Sequence, residues 1–316
     1  MRYLVTGGAG FIGSNTVEEL VRRGHDVVVL DDLSSGTAEN LAAVSSKIEF
    51  LKHSITDVFK LREASRGVDY VIHLAARTSV PQSMADPCDT NRVNVDGTLN
   101  VLLAARDAKV KRVVFAGSTA VYGDTPILPT NEKVPPAPIS PYGASKLAAE
   151  TYGQVFGRSY GLEFVSLRYF NVFGPRQDPS SPYSGVLSRF HAALLGGTQP
   201  IVFGDGEQSR DFVYVGNVVE ANLLACEAKG AAGLAINIGT GERHTLNQTL
   251  ASLEKITGQP ANARYAPARE GDIRESQADI TLARNVLGYS PRVTFEEGLK
   301  NTWEWFCASQ GTPSWA

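Results

Sequence analysis

The chain has 316 residues, enough to bury one large core or two intimate ones, and its 43% hydrophobic and 20% charged residues are ordinary for a globular protein. A formal net charge of −3 supplies no basic field for nucleic acid and no patch for an anionic membrane surface. No apolar run approaches the ~20 residues that span a bilayer, so the expected location is the cytoplasm.

The first predicted elements are a strand from Arg2 to Thr6, a turn through Gly7, Gly8, Ala9 and Gly10, and a helix from Ile12 to Arg23. Gly7, Gly10 and Gly13 permit the tight turn and the close packing of helix on strand. Backbone N–H groups and the positive end of the helix then face whatever anion sits there, and a dinucleotide pyrophosphate is the natural occupant. The second strand, Asp26 to Asp31, ends in a carboxylate able to accept both hydroxyls of an adenosine ribose. No arginine directly follows Asp31 to receive a 2′-phosphate, which favours NAD over NADP. Asp32 is either a second ribose contact or a solvated loop residue.

Strands at Ile48 to Lys52, Tyr70 to Leu74, Arg112 to Ala116 and Glu163 to Arg168 then alternate with helices at Val58 to Ser65, Cys88 to Ala108 and Tyr142 to Tyr160. Such alternation predicts an α/β fold with a doubly wound parallel Rossmann sheet. After Arg168 the pattern changes to a Pro, Gly and Ser-rich segment, Gly174 to Gly185, and shorter pieces. A helix over Val215 to Ala228 and a strand over Ala235 to Gly239 are expected to return to the sheet. The expected division is 1–168 with about 211–239 as the nucleotide-binding domain, and about 169–210 with 240–309 as a smaller, interleaved substrate lobe. Residues 310–316 form a tail. The two longest predicted helices offer one face to the sheet and another to a second copy, so a homodimer is expected.

Cys88, Cys226 and Cys307 are far apart and are expected to be reduced and mostly buried. The five histidines form no metal-ligand spacing, so no metal is expected, and His73 is read as structural. Tyr142 and Lys146 stand at i and i+4 on one helix face, with Ser118 just past an earlier strand. A lysine ammonium near the phenol, helped by the positive charge of an oxidised nicotinamide, is expected to lower its pKa from ~10 and make it a base for a sugar or alcohol hydroxyl. Ser118 is placed to hydrogen-bond the same hydroxyl.

With these features in place the chain resembles the extended short-chain dehydrogenase/reductase superfamily over nearly its full length. The matching segments are Thr6 to Gly13, His73-Leu74-Ala75-Ala76, Asn94 to Thr98, Ser118 with Val121-Tyr122-Gly123, Tyr142 to Lys146, and Leu167 to Pro175. The resemblance implies a cofactor site of Gly7, Gly10, Phe11, Ile12, Gly13, Asp31, Asp32, Ser54, Ile55, Leu74, Ala75, Ala76, Asn94, Tyr142, Lys146 and Tyr169. Lys146 would also hold the nicotinamide ribose, and Phe170 would pack nearby. One departure is that the third strand runs into His53-Ser54-Ile55 where the family usually has Gly-Asp-Ile. The usual aspartate contact to adenine is therefore replaced by the Ser54 hydroxyl or lost.

Within the superfamily, sugar-nucleotide dehydratases and UDP-glucuronate decarboxylases carry carboxylates before Val-Tyr-Gly. Here the segment is Ser118-Thr119-Ala120-Val121-Tyr122-Gly123, so a keto intermediate has no second chemistry and can only be reduced again. The resemblance is therefore to the UDP-glucose/UDP-N-acetylglucosamine 4-epimerases, with Tyr142, Lys146, Ser118 and Thr119 as the catalytic set. It further implies substrate contacts from Thr78, Ser79, Ser118, Tyr142, Asn171, Gln177, Gly185, Val186, Arg210, Arg269, Asp272 and Ser276. Arg210 and Arg269 would hold the diphosphate, Asp272 the uridine ribose, and Arg274 is as readily a surface ion pair. In that family a small residue at the position of Ser276 admits an N-acetyl group at C2, and the segment Arg176 to Pro179 also looks like epimerases that accept such sugars. Three alternatives remain open: a UDP-glucuronate 4-epimerase with Arg176 facing the C6 carboxylate, an NADPH-dependent keto-sugar reductase, and a non-catalytic NAD sensor.

Overall fold

Val27 to Leu30 and Val113 to Ala116 are apolar without alternation, as strands covered on both faces must be, and all eight residues are buried. The computed structural model describes residues 1–179, 185–268 and 273–309. Its first part runs β1 (Arg2–Thr6), α1 (Phe11–Arg22), β2 (Asp26–Leu30), β3 (Ile48–Leu51), α2 (Val58–Ala64), β4 (Tyr70–His73), α3 (Val80–Ala85), α4 (Pro87–Asn91), α5 (Gly97–Asp107), β5 (Arg112–Ser118), α6 (Pro141–Tyr160) and β6 (Glu163–Tyr169). The second part runs β7 (Asn171–Phe173), α7 (Val186–Leu195), β8 (Ile201–Phe203), β9 (Ser209–Arg210), β10 (Phe212–Tyr214), α8 (Val215–Glu227), β11 (Ala235–Ile238), β12 (His244–Thr245), α9 (Leu246–Thr257), β13 (Arg264–Ala266), α10 (Thr281–Leu287) and α11 (Phe295–Ser309).

Among the described residues seven strands form one parallel sheet in the order β11-β6-β5-β4-β1-β2-β3. The chain builds outward from β1 to β3, then crosses back to β4 on the other side of β1. That reversal opens a crevice at the C-terminal ends of β1 and β4, where ligands bind in folds of this kind. Apolar faces of α1 and α8 cover one side of the sheet, and those of α2, α5 and α6 the other. A separate core of Phe173, Phe190, Phe212, Leu250, Phe295 and Leu299 lies between α7, α9 and α11. No described helix is long and apolar enough to cross a membrane.

Two expectations are corrected. The single helix from Cys88 to Ala108 is instead α4, a π-helical turn over Arg92–Asp96, and α5. The widened turn carries Asn94, whose buried amide is tied to groups outside the helix, a demand that apolar periodicity does not reveal. Of the thiols only Cys226 is buried, whereas Cys88 and Cys307 lie on exposed helix faces.

Candidate active site

The turn after β1 is shaped by contacts that exclude side chains. Gly7 has φ +70°, and a Cβ there would come within 2.6 Å of the Ala75 N. A Cβ on Gly13 would sit 2.0 Å from the Gly7 carbonyl oxygen. Gly10 begins α1 with no side-chain cap, so the helix presents its first N–H groups, beginning with Phe11 and Ile12, without an internal competitor. Leu74, Ala75 and Ala76 leave β4 against this turn, the Leu74 N–H donating to the Thr6 carbonyl at 3.0 Å.

Asp31 is 7% exposed at the end of β2. Its carboxylate accepts the Ala9 N–H at 2.9 Å and the Leu33 N–H at 2.8 Å. Burial raises its pKa, and these two hydrogen bonds lower it in part. Asp32 is exposed and accepts the Ser34 N–H within its own turn, which fits the solvated-loop reading. The Ser54 hydroxyl accepts from the Thr56 N–H and hydroxyl, and Ile55 is buried beneath Gly97. Asn94 accepts the Arg77 N–H at 2.7 Å and donates to the Arg77 carbonyl and the Ser145 hydroxyl, both at 2.9 Å, fastening the segment after β4 to α6. Tyr169 pairs with Ser118 in the strand register, but its hydroxyl is spent on Asn222 in the core at 2.5 Å.

Ser118, Tyr142 and Lys146 meet at the C-terminal end of β5. Ser118 caps the 3-10 turn Thr119–Tyr122 by accepting the Ala120 N–H at 3.1 Å, and its hydroxyl faces the Tyr142 phenol closely enough to oppose the rise in its pKa. Thr119 is half-buried beside it. The Tyr142 N–H donates to Ser83 of α3 at 3.1 Å, a bond the sequence did not signal. Lys146 is 3% exposed; its ammonium donates to the Ala116 carbonyl at 3.1 Å and lies 4.9 Å from the Phe115 ring centroid and 5.9 Å from that of Tyr142. Burial pushes the Lys146 pKa down to about 7.

Within the protein itself, Lys146 is not among the influences on the Tyr142 phenol. Burial raises the phenol, and the opposing influence comes from Ser118. Burial disfavours the charged form of Lys146, and any help it gives the phenolate depends on that charge.

His73 is fully enclosed behind this cluster, with Nδ1 2.7 Å from the Thr6 hydroxyl and Nε2 2.9 Å from that of Thr98. Burial first, then the Lys146 charge, lowers its pKa to about 3. The unfolded chain therefore binds the extra proton between the ordinary value of 6.5 and about 3. The stability this histidine contributes is complete above the upper value and falls as the pH drops through that window, by about 1.4 kcal/mol per pH unit. Urea unfolding between neutral and mildly acid pH is expected to show this slope, and His73→Gln to remove it; an unchanged slope in the variant would refute the assignment.

On the substrate side Thr78 is exposed, while Ser79 is buried and caps α3 through the Gln82 N–H. Asn171 is exposed where β7 begins, and Gln177 donates to the Val172 carbonyl at 3.3 Å. Gly185 caps α7, where a Cβ would press on the Gln177 amide at 3.0 Å, and Val186 opens the helix. The Arg210 guanidinium donates to the Ser209 carbonyl at 2.9 Å and the Arg274 carbonyl at 3.3 Å. Ser276 lies alongside, its N–H on the Ser209 carbonyl at 3.1 Å. Arg274 forms an exposed two-pronged ion pair with Asp205, the surface reading left open for it. Arg176 is turned onto Glu18 of α1. Arg269 and Asp272 lie outside the described residues.

Sequence reasoning also passed over Asp211, which is completely buried. Its carboxylate accepts from the Thr240 N–H and hydroxyl, both at 2.8 Å, the Gly241 N–H at 2.9 Å and the Ala278 N–H at 3.1 Å. It thereby ties the residue next to Arg210 to the segment that carries Ser276. An Asp directly after a candidate anion-binding Arg was the available signal.

A glycine turn and an acid-ended second strand beside a Ser, Tyr and Lys cluster place the molecule in the class of dinucleotide-dependent short-chain dehydrogenase/reductase folds. More narrowly, residues 3–239 match the NAD dependent epimerase/dehydratase family, and the chain belongs to that family; its cofactor is NAD. It is 43% identical over 310 residues to the UDP-glucose 4-epimerase of Mycolicibacterium smegmatis, covering 97% of this chain and 98% of the relative. The crystal structure of the Thermotoga maritima UDP-glucose 4-epimerase with UDP-glucose is similar at a TM-score of 0.93 and 43% identity, over 98% of this chain and 99% of that one. The UDP-N-acetylglucosamine 4-epimerase of Methanobrevibacter ruminantium, solved in complex with UDP-N-acetylmuramic acid, is similar at a TM-score of 0.93 and 40% identity, over 98% of each chain.

Proposed function

We propose that the protein is an NAD-dependent UDP-hexose 4-epimerase acting on UDP-glucose/UDP-galactose and on their N-acetylated counterparts. The observation that carries the reading is the meeting of Ser118, Tyr142 and buried Lys146 at the end of β5, where the Ser118 hydroxyl acts to lower the Tyr142 pKa. Two nearby carboxylates in sequence are already committed: Glu150 to Arg168 and Ser166, and Glu132 to the Asn237 N–H. A 4-keto sugar formed there can lose neither water nor carbon dioxide by protein acid–base help, so reduction on the opposite face is its exit.

In the forward half, Tyr142 takes the C4 hydroxyl proton as the C4 hydrogen departs as hydride. NAD supplies the hydride acceptor, and in its reduced form the donor. Ser118 holds the hydroxyl, then the ketone, and Tyr142 returns the proton after the hexose has turned. Lys146 favours the phenolate only while it is charged. Arg210 and Arg269 grip the diphosphate and Asp272 accepts from the uridine ribose, so the sugar can rotate while the nucleotide stays bound. The helix start at Gly10 to Gly13 would receive the NAD pyrophosphate and Asp31 the adenosine ribose.

Incubation of the purified protein with UDP-galactose, UDP-N-acetylgalactosamine and UDP-glucuronate, with product analysis by proton NMR, tests this reading. Conversion of the first two to their C4 epimers supports it; turnover of the uronate alone would replace it with the glucuronate reading. Against that alternative, one arm of the Arg176 guanidinium is paired with Glu18 of α1. The half-buried Ser276 supports acceptance of N-acetylated sugars. Ser276→Tyr is expected to cut kcat/KM on UDP-N-acetylgalactosamine by at least tenfold, about 1.4 kcal/mol, while sparing UDP-galactose. Equal losses on both would remove the gate argument.

The exposed apolar residues Val80 and Met84 on α3 and Tyr152 and Val155 on α6 suit a homodimer. Light scattering is expected to give about twice the 33.9 kDa chain mass at micromolar concentration, and a monomeric mass would refute it.

A further inference from the structure

The elements that carry the catalytic cluster are joined by a buried polar chain that the reaction itself does not use. Glu150 lies one turn beyond Lys146 on α6 and is 2% exposed; Arg168 on β6 is 5% exposed. The Arg168 guanidinium meets the Glu150 carboxylate with two N–H groups, at 2.5 and 3.1 Å, and the Ser166 hydroxyl donates to the same carboxylate at 2.7 Å. The other arm of Arg168 donates to the Tyr122 hydroxyl at 2.8 Å. Tyr122 ends the turn that Ser118 begins, and the guanidinium lies over its ring at 4.9 Å.

From Tyr122 the chain continues toward the substrate side. Its hydroxyl donates to the Asn237 amide oxygen at 2.7 Å, and Asn237 donates to the Thr130 carbonyl at 2.9 Å. The Thr130 N–H donates to the Gln277 carbonyl at 2.8 Å, and its carbonyl also accepts the Asp279 N–H at 2.9 Å. Gln277 follows Ser276 directly. A fully paired polar chain of this sort is rigid. A buried ion pair, by contrast, is weak evidence for stability, since apolar residues of similar volume often serve as well. What this one does supply is fixed geometry, a planar fork that binds α6 on one side and the Ser118 turn on the other.

We infer that Arg168, with Glu150 and Tyr122, is the positioning device of the catalytic cluster, setting the Ser118 turn against the Tyr142 and Lys146 helix and tying both to the segment that bears Ser276. The inference rests on the 4-epimerase reading. None of the three residues is a catalytic residue; they act through Ser118 and Tyr142.

Tyr122→Phe in the NAD-loaded protein is the deciding variant, because the ring and its packing stay. It is expected to lower kcat on UDP-galactose about 10- to 100-fold, as displacement of a reacting group does, with KM changed less than about twofold and the NAD content unchanged. Since Ser118 is the group that lowers the Tyr142 pKa, loss of its alignment raises that pKa. The ascending limb of log kcat against pH then moves to higher pH. Ser118→Ala added to Tyr122→Phe is expected to cost much less than it does alone, because the two act through one contact.

The double variant Glu150→Met with Arg168→Met removes both charges together and is expected to show the same loss of kcat and the same pH displacement. Variants that lower the melting temperature but keep kcat and the pH limb would make the chain purely structural and overturn the inference. Additive losses for Ser118→Ala and Tyr122→Phe would also overturn it. An inactive wild type overturns the epimerase reading and the inference with it, whereas an active wild type with unaltered variants overturns the inference alone.

Discussion

Replacing Tyr142 by phenylalanine is expected to lower kcat on UDP-galactose by about 10²- to 10⁴-fold, the range for loss of a positioned acid–base group. The substitution removes one hydroxyl and little else. Ser83 still accepts the backbone N–H of residue 142, and Lys146 still donates to the Ala116 carbonyl. The variant should therefore purify with the NAD content of the wild type and melt within a few degrees of it. NAD content, melting temperature and initial rates on one preparation check all three expectations. A loss of less than about tenfold would show that another group carries the proton.

The second large effect is expected at the glycine turn. In Gly13→Ala the new methyl would lie 2.0 Å from the Gly7 carbonyl oxygen and 2.7 Å from the Gly8 Cα. Both obstacles are backbone, so relief requires the turn itself to move. Overpacking of this kind costs about 1–3 kcal/mol, or more. Displacement also removes the N–H groups from where a pyrophosphate would meet them. Gly13→Ala should thus purify without NAD and without activity. NAD released on heat denaturation and quantified by absorbance measures the outcome; wild-type cofactor content in Gly13→Ala would refute the steric account.

The parallel sheet was legible because strands covered on both faces need continuous apolar runs. The ends of β1, β2 and β4 fall within a residue of those predicted. Pairs such as β9 with β12 and β8 with β13 were not legible, since strands of two or three residues are too short to show a period. In the candidate site, Gly7, Gly13, Asp31, Tyr142 and Lys146 were visible because their chemistry fixes their spacing along the chain. Their electrical state was not. The rise in the Tyr142 pKa and the fall in that of Lys146 follow from burial, which depends on helices and strands distant in sequence. Arg168 and Glu150 escaped for a similar reason: each is unremarkable in its own element, and only the packing of α6 on β6 brings them together.

Asp31 ties two properties that are usually treated as separate. The carboxylate proposed for the ribose also accepts the Ala9 N–H and so anchors the loop proposed for the pyrophosphate. Exchanging it for a neutral or basic residue, to admit a phosphorylated ribose, would free the middle of that loop at the same moment. Cofactor preference in this chain is therefore inherited together with loop conformation, and a change of coenzyme calls for a compensating acceptor for the Ala9 N–H as well as a new cation for the phosphate.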